Sequence, residues 1–502
     1  MEFVQNFPFI CILLSLFTGP VSSVLSGKAA KYLSAVMMAL VSIMSAAVFA
    51  FVLINGQEYV YTMGHFPAPW GNEIRVGILE AGMALFFCIV ILLCMIGGVL
   101  EREAEIEKSK QNLYYIMVNL LLCSLLALIY TNDLFTAYVF VEINTISACG
   151  LIMIRQSGRT IVAATRYMIM SLLGSGLLLL GICFLYGLTG HLLMSNIKEQ
   201  VAVLNSTGIH HIPFLVTICL MCIGLAIKSA LYPFHTWLPD AYGYSTLSSA
   251  AILSSLVSKG YIFLLIKIFY RVIGFDIIRE SKVVNVLFVF GVAGMIIGSI
   301  SAIRESDVRR MIAFSSVAQI GYIYMGFGLG TRAGMIASVY HILTHAATKA
   351  ILFTAASGLT DASGKNIDFF SLTGAGYRNR LAGIAFTVGS LSMVGFPMFS
   401  GFISKILFAQ AAVANRHKIL ITLIALAIST ILNAVYYMKT VIRIYTPEKS
   451  DVIAKKGYMR VTVKDQFEKS IAMVGFIFLN LLLGLNSDPI VRLIERGLDM
   501  FA

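Results

Sequence analysis

The sequence predicts an all-α polytopic membrane protein, and three observations predict it. Of 502 residues, 58% are hydrophobic and only 12% are charged, against about 25% charge in an ordinary soluble protein. The mean hydropathy is +0.86. Apolar runs of about twenty residues recur from end to end, each long enough to cross a bilayer. The same numbers exclude a disordered chain, which would be poor in apolar residues and rich in charge.

Fourteen helices are expected. The first four are Val4–Leu25, Leu33–Ile54, Gly77–Leu100 and Leu113–Tyr130. Helices five to eight are Leu134–Ile154, Tyr167–Tyr186, Pro213–Tyr232 and Tyr244–Tyr270. Helices nine to eleven are Val283–Ser301, Arg310–Phe327 and Ala333–Leu359. Helix twelve is Leu381–Ala409, interrupted, followed by Leu420–Arg443 and Ile471–Leu485. Met1–Leu25 lacks a basic leader segment and reads as the first span, not a cleaved signal.

An even number of spans puts both termini on one side, and basic residues decide which. The odd connections hold Lys28 and Lys31, then Arg102, Lys108 and Lys110, then Arg155, Arg159 and Arg166. Further on they hold Arg304, Arg309 and Arg310, then Lys365, Arg378 and Arg380, and a basic series from Lys439 to Lys469. The even connections are poorer, except for Lys267, Arg271, Arg279 and Lys282 after helix eight. The positive-inside rule therefore places both termini outside a prokaryotic inner membrane. The net charge of +12 reflects such loops. No basic stripe with interleaved aromatics suggests nucleic acid. The eight cysteines all sit in apolar stretches and indicate neither disulfides nor an iron–sulfur site. Cys219 and Cys222 form a CxxC in mid-helix with no second pair.

Loops are short, and the longest polar insertions are His191–His211 and Pro447–Lys469. The second is basic and carries Tyr458, Val461, Val463 and Phe467. An amphipathic helix on the cytoplasmic surface and a plain solvated loop fit it equally.

Ionisable groups inside a bilayer are costly, so they face a polar interior and mark function. Glu142 lies deep in helix five, in YVFVEINTISA, with no partner nearby in sequence. Lys228 lies in GLAIKSALYPFHTWLPD, Lys259 in SSLVSKGYIFLL and Lys405 in GFPMFSGFISKILF. Lys349 shares HILTHAATKAILF with His341 and His345. The competing readings are snorkelling to the headgroups and static ion pairing. Lysines spread over several spans fit a proton wire better than a substrate cage. Desolvation weakens a lysine's hold on its proton and a nearby carboxylate strengthens it, so a Glu–Lys pair that opens and closes acts as a toggle. Histidine and water relay protons between lysines. His341 and His345 are four apart and share a face that Lys349 extends. A zinc site would need a third ligand, and none is evident, so neither metal nor cofactor is expected.

Two helices look broken. Helix seven meets Pro233 five residues after Lys228, and helix twelve contains Gly395, Pro397 and Gly401 before Lys405. Proline removes a helix hydrogen bond, glycine permits bending, and backbone freed this way needs protein or water beside it. One broken helix with a lysine in each half suggests inverted repeats. The expected organisation is residues 1–111 as helices one to three, 112–270 as a first repeat, 271–445 as a second, inverted repeat, and 446–502 as a cytoplasmic loop and helix fourteen.

These stretches resemble the antiporter-like proton-translocating subunits shared by respiratory complex I, Mrp-type sodium/proton antiporters and membrane-bound hydrogenases. The resemblance covers roughly Val36 to Tyr445 and is strongest in Lys228–Pro239, Asp307–Tyr322, His341–Phe353 and Gly395–Lys405. FPAPWG at Phe66–Gly71 looks most like the D subunit of Mrp antiporters or its hydrogenase relatives. The resemblance implies that Glu142 is the helix-five glutamate and Lys228 its partner in broken helix seven. It makes Lys259 the connecting lysine of helix eight and His345 the central-axis histidine. Lys405 falls on the terminal lysine or glutamate of helix twelve, and Lys349 on the histidine-to-lysine face of helix eleven. Asp307 and Arg310 match a surface DxKR-like motif that serves structure, and Glu80 stands where helix three often has aspartate. The chain departs from the family after Pro239. An alanine–histidine step and an APTPVS-like segment are replaced by Ala241-Tyr242-Gly243-Tyr244-Ser245-Thr246-Leu247-Ser248-Ser249. The implied activity is proton translocation along this Glu/Lys/His chain, in an Mrp-type antiporter or, alternatively, a redox-driven complex. A non-conducting scaffold is the reading from a different class. The implied partners are a second antiporter-like subunit, small membrane subunits, protons and sodium ions.

Overall fold

A computed structural model describes residues 2–63, 66, 71–207, 211–447 and 458–501. Most of the FPAPWG motif, together with Lys449, Lys455 and Lys456, lies outside the described residues.

The chain is an all-α membrane protein. Helices one to four are Phe7–Val24, Gly27–Asn55, Ile78–Gly97 and Gln111–Tyr130. Helices five to eight are Leu134–Met153, Gly158–Thr189, His211–Lys228 and the composite Leu247–Ile273. Helices nine to eleven are Val283–Arg304, Val308–Gly328 and Arg332–Asp361. Helix twelve comes in two pieces, Arg380–Val394 and Ser400–Val413, followed by Ile419–Ile444 and Phe467–Leu485. Among the described residues, twelve helices are long and apolar enough to cross a membrane. The expected count of fourteen exceeds this because helix seven and both pieces of helix twelve are shorter apolar segments.

Short polar side chains start many of these helices by accepting a hydrogen bond from an otherwise unpaired N–H of the first turn. Asp133 accepts from Thr136, Thr246 from Ser249, Asp307 from Arg309 and Asn379 from Ala382. Three elements were not foreseen. An antiparallel hairpin pairs Tyr59–Thr62 with Glu73–Val76. An amphipathic helix, Met194–Thr207, occupies the insertion after helix six, and another, Ser487–Phe501, follows helix fourteen. The amphipathic helix envisaged around Tyr458 does not form among the described residues. Residues 458–466 are irregular or turn, and helix fourteen begins at Phe467.

The spans divide into a shell and a centre. The apolar stretches of helices one, two and thirteen leave about two thirds of their residues uncovered within the chain, whereas those of helices eight and eleven are covered. An apolar residue facing lipid costs nothing, whereas Lys228, Lys259, His341, His345 and Lys349 are all buried within the chain.

Candidate proton-transfer axis

Helix seven ends at Lys228, and residues 229–237 form turns around Pro233 before a short helix, Leu238–Tyr244. Its last turns lie close against helix six because both carry glycine at the contact. A Cβ on Gly174 would stand 2.8 Å from the Gly224 carbonyl, and one on Gly224 would stand 2.6 Å from the Gly174 carbonyl. This places the fully buried Lys228 amine 3.6 Å from Oε1 of Glu142 on helix five. Lys228 also donates to Thr145 Oγ1 at 2.5 Å, one turn along from Glu142. Its Nζ lies 5.5 Å from the centre of the Tyr261 ring. Tyr261 donates in turn to Asn144 Oδ1 at 2.9 Å. Glu142 lies near the middle of helix five and is 25% exposed, toward the edge of the bundle.

Helix eight carries Lys259 between two widened π-helical stretches, Leu253–Val257 and Ile268–Ile273. A π turn frees backbone carbonyls from the regular ladder. Lys259, fully buried, donates to one of them, Ser254 O. It lies within electrostatic reach of His341, His345 and Lys349 on helix eleven. The two histidine rings stack with centres 6.0 Å apart, and His341 also stacks on Tyr322 at 5.4 Å. Both ring nitrogens of His345 are buried without a protein hydrogen-bond partner, as is His341 Nε2. Lys349 donates to Ile312 O at 2.8 Å and to Ser315, which is linked to the Tyr437 hydroxyl at 2.7 Å.

His341 Nδ1 is 2.7 Å from Ser404 Oγ, which adjoins Lys405 in helix twelve. Helix twelve breaks at Gly395, which has φ +86° and would, with a Cβ, meet Lys405 Cδ at 2.8 Å. The break covers residues 395–399 and includes Pro397. Gly401, expected within the break, lies inside the second piece. There it allows close approach, since a Cβ would stand 1.8 Å from Ser392 O. Lys405 donates to Val394 O, at the broken end of the first piece, at 2.5 Å and to Thr430 Oγ1 at 2.9 Å. The expected residues thus fall into two contacting sets, Glu142 with Lys228 and His341 with His345. Lys259 and Lys349 face the second set, and Lys405 lies next to it through Ser404. The sequence reading missed Thr145, Tyr261, Ser404 and Thr430. Only Thr145, three residues from Glu142, carried a signal, because it shares that residue's helix face.

Two of the basic residues assigned to the connection after helix eight are buried. Lys267 donates to the carbonyls of Ile129 at 2.9 Å and of Thr131, at the end of helix four, where carbonyls lack helical partners. Arg271 pairs with Glu80 at 2.6 Å and with Glu58 at 3.1 Å, and Glu58 also pairs with Arg75 of the hairpin. Phe501 covers the Arg271 guanidinium at 4.3 Å. Each charge here has its counter-charge or helix end, so the group is structural. The Asp307–Arg310 motif is structural too, with Arg310 pairing with Asp240 and with Glu305 at 3.1 Å.

Fold and site define a polytopic membrane protein with a buried lysine–histidine axis between two interrupted helices. The chain belongs to the NADH:quinone oxidoreductase/Mrp antiporter membrane family, whose pattern matches residues 131–431. It is 30% identical over 451 residues to NADH-quinone oxidoreductase subunit N of Desulforudis audaxviator, covering 88% of this chain and 86% of that one. It is 26% identical over 433 residues to the D subunit of the Na(+)/H(+) antiporter of Alkalihalophilus pseudofirmus, covering 86% and 84%. Its fold superposes with TM-score 0.88 and 25% identity on a chain of the membrane-bound sulfane sulfur reductase, an archaeal respiratory membrane complex, over 100% of this chain and 98% of that one.

Proposed function

We propose that this chain is the proton-translocating subunit of a multisubunit cation/proton antiporter of Mrp type, comparable to the D subunit of such complexes. The observation that carries the reading is the Lys228–Glu142 pair, a buried amine 3.6 Å from a carboxylate at the rim of the bundle. At that separation and an effective dielectric of about 20, the attraction is roughly 4.6 kcal/mol. Opening the pair therefore changes the lysine's hold on its proton by a factor on the order of a thousand. A released proton passes by way of Tyr261 and water toward Lys259, then along His345 and His341 to Ser404 and Lys405. Buried nitrogens such as those of His345 take water as partner in folded proteins.

Residues 112–270 and 271–445 serve as inverted repeats of five helices, each with its broken helix in fourth place. With Lys267 and Arg271 buried, the connection after helix eight keeps only Arg279 and Lys282. Arg102, Arg309, Arg378 and Lys469 of the odd connections are buried as well, and the remaining basic residues still favour the odd connections, supporting both termini outside an inner membrane. A second antiporter-like subunit and small membrane subunits complete the complex, with sodium as the counter-ion. A second reading, in which redox partners drive the same axis, is supported by the 30% identity to a quinone-oxidoreductase subunit, which stands level with the 29% to a putative antiporter subunit of Staphylococcus epidermidis.

The test is proton flux in inverted vesicles holding the complex, driven by sodium or by the redox partner, with assembly checked on a native gel. Loss of flux in Lys228→Ala and Glu142→Gln at normal complex levels is expected. Wild-type flux in both leaves the non-conducting scaffold as the surviving explanation.

A further inference from the structure

A charged cluster takes no part in that axis. It sits at the end of the bundle where helix eight begins and helix eleven ends. Lys469, at the start of helix fourteen, is 1% exposed, yet its amine reaches three groups. It lies 3.2 Å from Glu101 Oε1 and 2.5 Å from Asp361 Oδ2, and it donates to Ser357 Oγ at 2.6 Å. A small cavity of about 50 Å³ adjoins the cluster, lined among others by Glu101, Glu105, Arg309, Ser357, Thr360 and Asp361. Arg309 is almost fully buried, and its Nε has no hydrogen-bond partner. Glu105 Oε2, in the same cavity wall, is likewise unpartnered. Such a volume admits water, and these groups offer it partners. Burial pushes the Glu101 carboxyl upward from the usual carboxylate range, while Lys469 pulls it back down. Ser357 shares helix eleven with Lys349, two turns or about 12 Å away. Phe353, fully buried midway between them, packs edge-on against Tyr242 with ring centres 6.5 Å apart.

We propose that Glu101, Asp361 and Lys469 form a proton inlet that loads Lys349 from the cytoplasmic water. A proton from water binds the Glu101 carboxylate. The Lys469 ammonium breaks one N–H bond and passes that proton through the Ser357 hydroxyl and intervening water to the Lys349 amine, where a new N–H bond forms. Protonated Glu101 then restores the Lys469 ammonium. One proton enters, one arrives, and nothing is oxidised. Asp361 holds Lys469 in place, and Phe353 with Tyr242 forms the apolar gate that water must cross.

The inlet rests on the proton-transport reading, so its test includes the variants that probe that reading. Lys469→Arg keeps the charge that pairs with Glu101 and Asp361, but an arginine does not release a proton. In vesicles holding the whole complex, Lys469→Arg and Lys469→Ala should each lower flux about tenfold or more per assembled complex. Glu101→Gln should do the same and decides the matter where a Lys469 variant lowers assembly. Wild-type flux per complex in Lys469→Arg and Glu101→Gln, with Glu142→Gln and Lys228→Ala inactive, would overturn the inlet and leave the triad an ion-pair staple. Wild-type flux in those two as well would overturn the proton-transport reading itself.

Discussion

The two interrupted helices solve one problem differently. Lys228 faces a carboxylate and a threonine hydroxyl, whereas Lys405 faces a threonine hydroxyl and the carbonyl of Val394 at the broken helix end. No ion pair among the described residues involves Lys405. The first lysine is held by a charge that moves with one side chain. The second is held by a backbone dipole that moves only if the helix break moves. In the proposed pathway a side-chain rotation switches the first half and a shift of the break switches the second.

This contrast is open to test. The largest effect should come from breaking the first half: flux falls about a hundredfold in Lys228→Ala and nearly as far in Glu142→Gln. Lys405→Arg comes next, with a loss on the order of thirtyfold despite the retained charge, because arginine holds its proton. A sharper comparison pairs the two threonines. Thr430→Val removes one of the two hydrogen-bond partners of Lys405 among the described residues and should lower flux about tenfold, measured in the same vesicles. Thr145→Val leaves Lys228 its carboxylate and should cost only about threefold. Equal losses would show that the two lysines are held alike.

Much of this was legible in the sequence because the signals are local. Apolar runs gave the spans, and isolated charges within them marked Glu142, Lys228, Lys259, Lys349 and Lys405. Helix breaks announced themselves through Pro233, Gly395 and Pro397. What was not legible depends on contacts distant along the chain. Arg271 stands at the end of an apolar run and reads as a loop charge, because its partners Glu58 and Glu80 precede it by most of the first half. Lys267 was lost the same way, its partners being carbonyls of helix four. The Ser487–Phe501 helix was missed because its apolar face alternates with Arg492, Glu495 and Arg496, which dilutes any window average. Ser404 and Thr430 carry no sequence mark at all, since hydroxyls are common in spans.

Helix eight shows how such a protein must be assembled. It holds Lys259, Lys267 and Arg271 in one continuous stretch, each almost fully covered by the rest of the chain. A single lysine or arginine at mid-membrane costs roughly 3 kcal/mol during insertion. Three such residues outweigh much of what the apolar positions contribute, so this segment is a poor candidate to partition into lipid by itself. Two of these charges, Lys267 and Arg271, find their carbonyls and carboxylates at the end of helix four, on helix three and just before the hairpin, all of which emerge earlier from the ribosome. Helix eight therefore enters the bilayer against a waiting receptor of its own chain, and its place in the membrane is set by the order of synthesis as much as by its hydropathy.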